Sequence, residues 1–183
     1  MLALASIAAA VGAADAGDAS GNRSSVSTSH RAPLRSLMAV RPRPAKADRA
    51  ARPCPIPGAL RPAFVRAAKD TGLPLALLTS VARVESEFHA DALSSAGAVG
   101  LMQVLPETAA LYGLDVSNPR ENVLAGARYL DGLLDAMGSA DLAIAAYNAG
   151  PTVTQATGYA PYTETVQYVA DVNAEWRRLN GCA

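Results

Sequence analysis

A chain of 183 residues accommodates one domain plus extensions. Half of the residues are apolar and only 5% are aromatic, a composition led by Ala and Leu that favours packed helices over sheets. The 16 Lys+Arg and 16 Asp+Glu residues cancel, so the basic excess of a nucleic-acid binder is missing. The two Cys and two His are too widely spaced for a four-ligand zinc site of the usual spacing, and no apolar run reaches the roughly 18 residues of a spanning helix.

Residues 1–16, MLALASIAAAVGAADA, form an Ala/Leu-rich stretch of signal-peptide length that ends on an Ala14-Asp15-Ala16 site. They read as a candidate signal peptide, although no positive residue precedes the apolar run. Residues 1–53 carry eight Lys/Arg against three acids, whereas 54–183 carry eight against 13. The basic, Pro-, Ala- and Ser-rich stretch 17–53 has few large apolar residues to offset its ordering entropy, and is expected to be a disordered linker.

The compact domain is expected over 54–183. Its only two Cys, Cys54 and Cys182, stand at its ends. In an oxidising compartment a Cys54–Cys182 bridge would tie the ends together; otherwise they are two thiols at frayed termini. Between them the signals are helical. Leu60–Asp70 is predicted as a first helix, closed by Gly72. Pro74 opens a second, to about Glu87. SSAGAVG (94–100) is too small and Gly-rich for a regular element. A short helix spans Pro106–Tyr112. Asn118-Pro119 starts a long one to Leu134, and Asp141–Asn148 is another, stopped by Ala149-Gly150-Pro151. ATGYAPY (156–162) reads as loop, and Thr163 as the cap of a last helix to Leu179. No stretch alternates with period two, so the fold class is all-α.

The chemistry begins on the second helix. At 100° per residue, Leu78, Val81, Ala82 and Glu85 share one arc, while Arg83 and Glu87 face away. Glu85 thus sits on an apolar stripe near a helix C-terminus. Desolvation and the negative end of the helix dipole both disfavour its charge. A raised pKa suits a general acid near neutral pH; a buried Glu bonded to backbone has the same pattern.

Residues 85–109 read ESEFHADALSSAGAVGLMQVLPETA. Glu85-Ser86, Phe88, Ala92, Ser94, Gly97-Ala98, Gly100-Leu101-Met102-Gln103, Pro106 and Thr108-Ala109 occur in order. They are followed by Asn122, Gly126 and Tyr129-Leu130, by Ala146-Tyr147-Asn148-Ala149-Gly150-Pro151, and by Glu164-Thr165 with Tyr168-Val169. This series resembles the signature of the soluble-lytic-transglycosylase family, a branch of the lysozyme superfamily. His89-Ala90 stands where the family often has Asn-Pro.

The resemblance implies a small lysozyme-like helical domain with a substrate cleft. It implies cleavage of the β-1,4 bond between N-acetylmuramic acid and N-acetylglucosamine in peptidoglycan, with 1,6-anhydromuramic ends. Glu85 would act first as acid and then as base, with no cofactor or metal. The substrate's own 6-hydroxyl replaces the second carboxylate that ordinary glycosidases need. Carried over residue by residue, Ser94, Met102 (through its backbone), Gln103, Tyr147, Asn148 and Glu164 would line the cleft. Each also has a plainer role. Ser94 is a turn residue, Met102 a packing residue, Gln103 a solvated loop side chain and Tyr147 a core tyrosine. Asn148 is then a helix cap and Glu164 a first-turn acid, which the wheel of the last helix places off a core face of Val166, Val169 and Trp176. The expected partner is the glycan strand, with components of a secretion system or pilus as further candidates, and no nucleic acid. The expected state is an exported, periplasmic or envelope-associated monomer. A goose-type lysozyme-like hydrolase and a non-catalytic glycan-binding component of a secretion apparatus are the alternatives.

Overall fold

The computed structural model describes residues 52–183. The candidate signal peptide and nearly all of the basic linker, residues 1–51, lie outside the described residues. Among those described, seven helices follow one another, without a regular strand: α1 (Arg61–Thr71), α2 (Leu75–Ser86), α3 (Pro106–Ala110), α4 (Pro119–Met137), α5 (Ala140–Ala149), α6 (Pro151–Thr157) and α7 (Thr163–Leu179).

Local chemistry sets most boundaries. Pro62 and Pro119 lie in the first turns of α1 and α4, where a missing amide proton costs nothing. Asn118 caps α4 by accepting from the Arg120 amide at 3.0 Å. Gly72 and Gly138 close α1 and α4 in the left-handed conformation, at φ 75° and 66°.

The core runs through α1, α2, α4, α5 and α7. Helix α4 packs between α1 and α5, and α7 lies against α2 and α5. On α2, Leu78, Val81 and Ala82 are buried while Arg83 and Glu87 are exposed, as the arc predicts. Thr79 and Ser80 are buried too. Their hydroxyls donate back to the Leu75 and Ala76 carbonyls at 2.7 Å, so no polar group is stranded. One contact places the site directly. A Cβ on Gly126 of α4 would stand 2.6 Å from Met102 Cβ and 2.8 Å from the Tyr147 hydroxyl. Only glycine lets α4 come so close to both.

Three expectations need correction. Residues 151–157 are helical: Ala149-Gly150-Pro151 stops α5, but Pro151 also starts α6. The loop is therefore shorter than 156–162. Thr163 is the first residue of α7 and makes no cap; Tyr162 holds that place in extended conformation. The core face of α7 is Thr165, Tyr168, Val172 and Leu179. Val166, taken as core in the sequence wheel, is 55% exposed. Aliphatic character misleads there because Thr165 and Tyr168 hold the first turns of the inward face.

Candidate active site

Glu85 stands in the last turn of α2, which ends at Ser86. The chain then turns sharply, with Glu87 and Phe88 both left-handed at φ 50° and 66°. Such angles are uncommon for residues with side chains. Two contacts hold the turn. The Phe88 ring meets Phe64 of α1 edge-on at 5.9 Å. The Ser86 hydroxyl donates to the Leu101 carbonyl at 2.8 Å. Ser86 thus ties the end of the acid's helix to the loop opposite.

That loop, 92–104, has no regular ladder. Val99 makes isolated antiparallel bridges to Leu93 and to Val104. Asn122 of α4 organises it. Its Oδ1 accepts from the Met102 amide at 2.9 Å, and its Nδ2 donates to Val99 O at 2.8 Å and Val116 O at 3.0 Å. Gly100, at φ 74°, passes so close that a Cβ would lie 2.8 Å from Asn122 Nδ2. The Tyr147 hydroxyl donates to Met102 O at 2.8 Å.

Glu85 itself is half-buried. Its Oε1 accepts from the Tyr168 hydroxyl at 2.5 Å. No protein group bonds Oε2, and no fully buried side-chain oxygen in the described residues is left without a partner, so Oε2 keeps some exposure. Loss of hydration pushes the carboxyl up to about 8, against the opposing pull of the Tyr168 bond. Tyr147 and Tyr168 titrate well above the usual tyrosine range, first from burial and then from the nearby Glu85 charge. Near neutral pH the site therefore holds a protonated acid. Tyr168 donates to one oxygen, and the other has no hydrogen-bond partner in the protein. No neighbouring carboxylate contributes to the shift.

The remaining residues separate into two groups. Met102 is wholly buried, and both its amide and its carbonyl are engaged inside the protein. Tyr147 spends its hydroxyl on that carbonyl and packs against Tyr129 at 5.4 Å. Both hold the loop in place. The others keep a polar atom that the protein does not bond. Ser94 Oγ accepts from the Ala98 amide at 3.0 Å rather than bonding Glu85, and retains its own proton. Gln103, at φ 44°, donates through Nε2 to Gly100 O and Ala92 O, which leaves its Oε1 outward. Asn148 is no helix cap. It lies inside α5, whose C-cap is Gly150, and its Oδ1 accepts from Thr165 at 2.8 Å, leaving Nδ2 unbonded. Glu164 is exposed in the first turn of α7, four residues before Tyr168 and so beside it on the helix. It borders the inward face instead of lying off it.

Tyr168 is the site residue missed by sequence reasoning. A buried acid needs a partner, and the Tyr one turn after Thr165 was the available signal. Two surface recesses, of about 670 and 420 Å³, do not touch Glu85. The first lies among α1, the segment before α4 and the first turns of α4; the second lies on the outer side of α2 and α7. No cluster of three or more His, Cys, Asp or Glu that would hold a metal occurs among the described residues. Cys54 and Cys182 are joined in a disulfide.

Known proteins resemble this chain in sequence and fold. The chain is 33% identical over 95 residues to a membrane-bound lytic murein transglycosylase F from Alkalilimnicola ehrlichii, covering 48% of this chain and 19% of that protein. It is 38% identical over 99 residues to a membrane-bound lytic murein transglycosylase F from Thiobacillus denitrificans, covering 50% and 21%. The chain thus spans about a fifth of these curated relatives. Among solved structures, an inactive Glu-to-Gln mutant of lytic transglycosylase Slt from Pseudomonas aeruginosa superposes with a TM-score of 0.60 at 32% identity, over 69% of this chain and 25% of that one. The 70 kDa soluble lytic transglycosylase from Escherichia coli gives 0.58 at 27% identity, over 67% and 24%. These neighbours share the all-helical, lysozyme-like fold. The Transglycosylase SLT domain model matches residues 62–167, more than half of the sequence, and the chain belongs to that family.

Proposed function

We propose that this chain is a peptidoglycan lytic transglycosylase. It cleaves the β-1,4 bond between N-acetylmuramic acid and N-acetylglucosamine and leaves 1,6-anhydromuramic ends. The observation that carries this reading is Glu85, a desolvated acid titrating at about 8 with one oxygen fixed by Tyr168 and the other open. The names and structures of the relatives support the substrate class.

The steps follow from that geometry. The proton on Oε2 passes to the bridging oxygen as the bond to the muramic anomeric carbon breaks. Tyr168 keeps donating to Oε1 and stabilises the new carboxylate. The muramic 6-hydroxyl then attacks the anomeric carbon, and Glu85 takes up its proton. No water is consumed and the acid ends as it began. A glycosidase using a second carboxylate as nucleophile places it about 5–5.5 Å away. At that distance it would raise the pKa of Glu85 by charge repulsion, and no acidic neighbour does so.

Ser94 Oγ–H, Gln103 Oε1, Asn148 Nδ2 and Glu164 are the polar groups offered to the sugar. Met102 and Tyr147 support the loop beneath. The reaction places the protein in the cell envelope, an oxidising setting in which the Cys54–Cys182 bond persists. Mass spectrometry of digested sacculi tests the reading. Muropeptides lighter by one water are expected, and products with reducing ends alone would replace it with hydrolysis.

A further inference from the structure

Helix α7 delivers Tyr168 to Glu85, and the directional contacts of this helix are few. Thr165 Oγ1 donates to Asn148 Oδ1 at 2.8 Å, and the two residues are 1% and 5% exposed. Thr165 precedes Tyr168 by three residues on the inward face. Val172 and Leu179 continue that face with apolar packing, which has no preferred direction. Further along, Glu175 meets Arg83 of α2 at 3.5 Å, with the arginine half exposed, so the pair restrains weakly. On the outer side, Asn173 Nδ2 donates to exposed Asp141 of α5 at 2.8 Å. The buried bond nearest Tyr168 on its own helix is therefore the one from Thr165.

Rotation matters at this radius. Side chains reach about 5–6 Å from a helix axis, so a turn of roughly 20° carries a tip by about 2 Å. That displacement breaks a hydrogen bond. We propose that Thr165 is a positioning residue: by bonding Asn148 it fixes the rotation of α7 and so places the Tyr168 hydroxyl on Glu85. The functional meaning rests on the reading of Glu85 given above, but the geometric link does not.

The titratable groups that face Glu85 are Tyr168 from α7 and Tyr147 from α5. The Tyr168 bond lowers the Glu85 pKa. Losing it must move that pKa up. The experiment is a ¹³C NMR titration of the Glu85 side-chain carboxyl in the wild type, Thr165→Val and Thr165→Ser, with the pH profile of sacculus digestion alongside. In Thr165→Val the Glu85 midpoint should rise by about half a pH unit or more, the size of one lost hydrogen bond. The alkaline limb of kcat should rise with it. Thr165→Ser, which keeps the hydroxyl, should restore the wild-type midpoint. In a Tyr168→Phe background, Thr165→Val should shift it no further. An unchanged midpoint in Thr165→Val, even with lowered stability, would overturn the proposal, as would independent shifts in the double variant. If the valine variant does not fold, Thr165→Ala removes the same bond without the extra methyl and is judged by the same midpoint. The NMR reading does not depend on activity. An inactive wild type would therefore sink the transglycosylase reading and leave the positioning test standing.

Discussion

The two ends of α7 are held by different physics. At its N-terminal end, Thr165 makes a buried hydrogen bond to Asn148 and Tyr168 a partly buried one to Glu85. At its C-terminal end, Arg178, with its side chain 57% exposed, forks onto Glu175, Arg83 adds a longer contact, and Cys182 is bonded to Cys54. Where water is excluded, a single hydroxyl shapes the proton affinity of an acid. Where water is present, ion pairs contribute little and a covalent bond does the holding.

The sharpest way to break this contrast is at the acid. Glu85→Gln keeps size and a hydrogen-bonding carbonyl but has no proton to give. Sacculus digestion should fall by at least about 10²–10⁴-fold, since one group serves both steps, while binding to sacculi persists. Glu87→Gln, exposed two residues on, should stay near wild type. Stability should respond as well. Glu85 holds its proton more tightly folded than unfolded, so its contribution is full below the usual 4.5 and is lost as pH rises through about 8. Thermal melts should show wild type losing stability over that interval and the Glu85→Gln variant losing less.

The covalent end comes next. The Cys54–Cys182 bond spans 128 residues. In the chain-entropy model such a closure is worth about 5 kcal/mol. Replacing both cysteines by alanine should lower unfolding stability in urea by up to that amount, with little change in kcat at temperatures where the domain stays folded. A loss of activity in the folded protein would show that the two ends are not separable.

Gly126→Ala should follow. The new methyl would meet Met102 Cβ at 2.6 Å, at the base of a side chain that has no room to yield. Overpacking of this kind costs about 1–3 kcal/mol, and denaturant titration measures it. Tyr168→Phe is milder in stability but specific in effect. The alkaline limb of kcat should move above about 8 by as much as roughly one pH unit, the worth of one hydrogen bond. Glu175→Gln should do least. Its arginine partners are at least half exposed, and a pair at the surface is worth about 0–1 kcal/mol and is screened by salt, so the melting temperature should shift slightly and less at high salt.

Much of this was legible in the residues. The arc Leu78–Val81–Ala82–Glu85 placed the acid, because α2 is regular and one face is plainly apolar. Proline, asparagine and glycine marked the ends of α1 and α4. On α7 the inward face is carried by Thr165 and Tyr168, so a wheel scored on aliphatic residues was rotated toward Val166 and Val169. The same blindness hid Tyr168 as the partner of Glu85. Ser94, Met102 and Tyr147 show another limit. A sequence motif marks residues that keep company around a site, but not which of their atoms remain free. Met102 and Tyr147 satisfy each other across the gap that Gly126 leaves. That closure depends on a tertiary contact between α4, α5 and the loop, and no local pattern reports it.

The closure of the domain's ends carries a mechanical consequence. The Cα atoms of Cys54 and Cys182 are 4.8 Å apart, the Ala183 amide donates to Arg52 O at 3.0 Å, and Arg61 reaches both Cys54 O and Ala183 O. The polypeptide enters and leaves the helical body at one point. Tension applied between those ends loads a sulfur–sulfur bond and leaves the helices, the loop and the acid unstretched. A unit with this property can be pulled, tethered or spliced into a longer chain without strain reaching its interior.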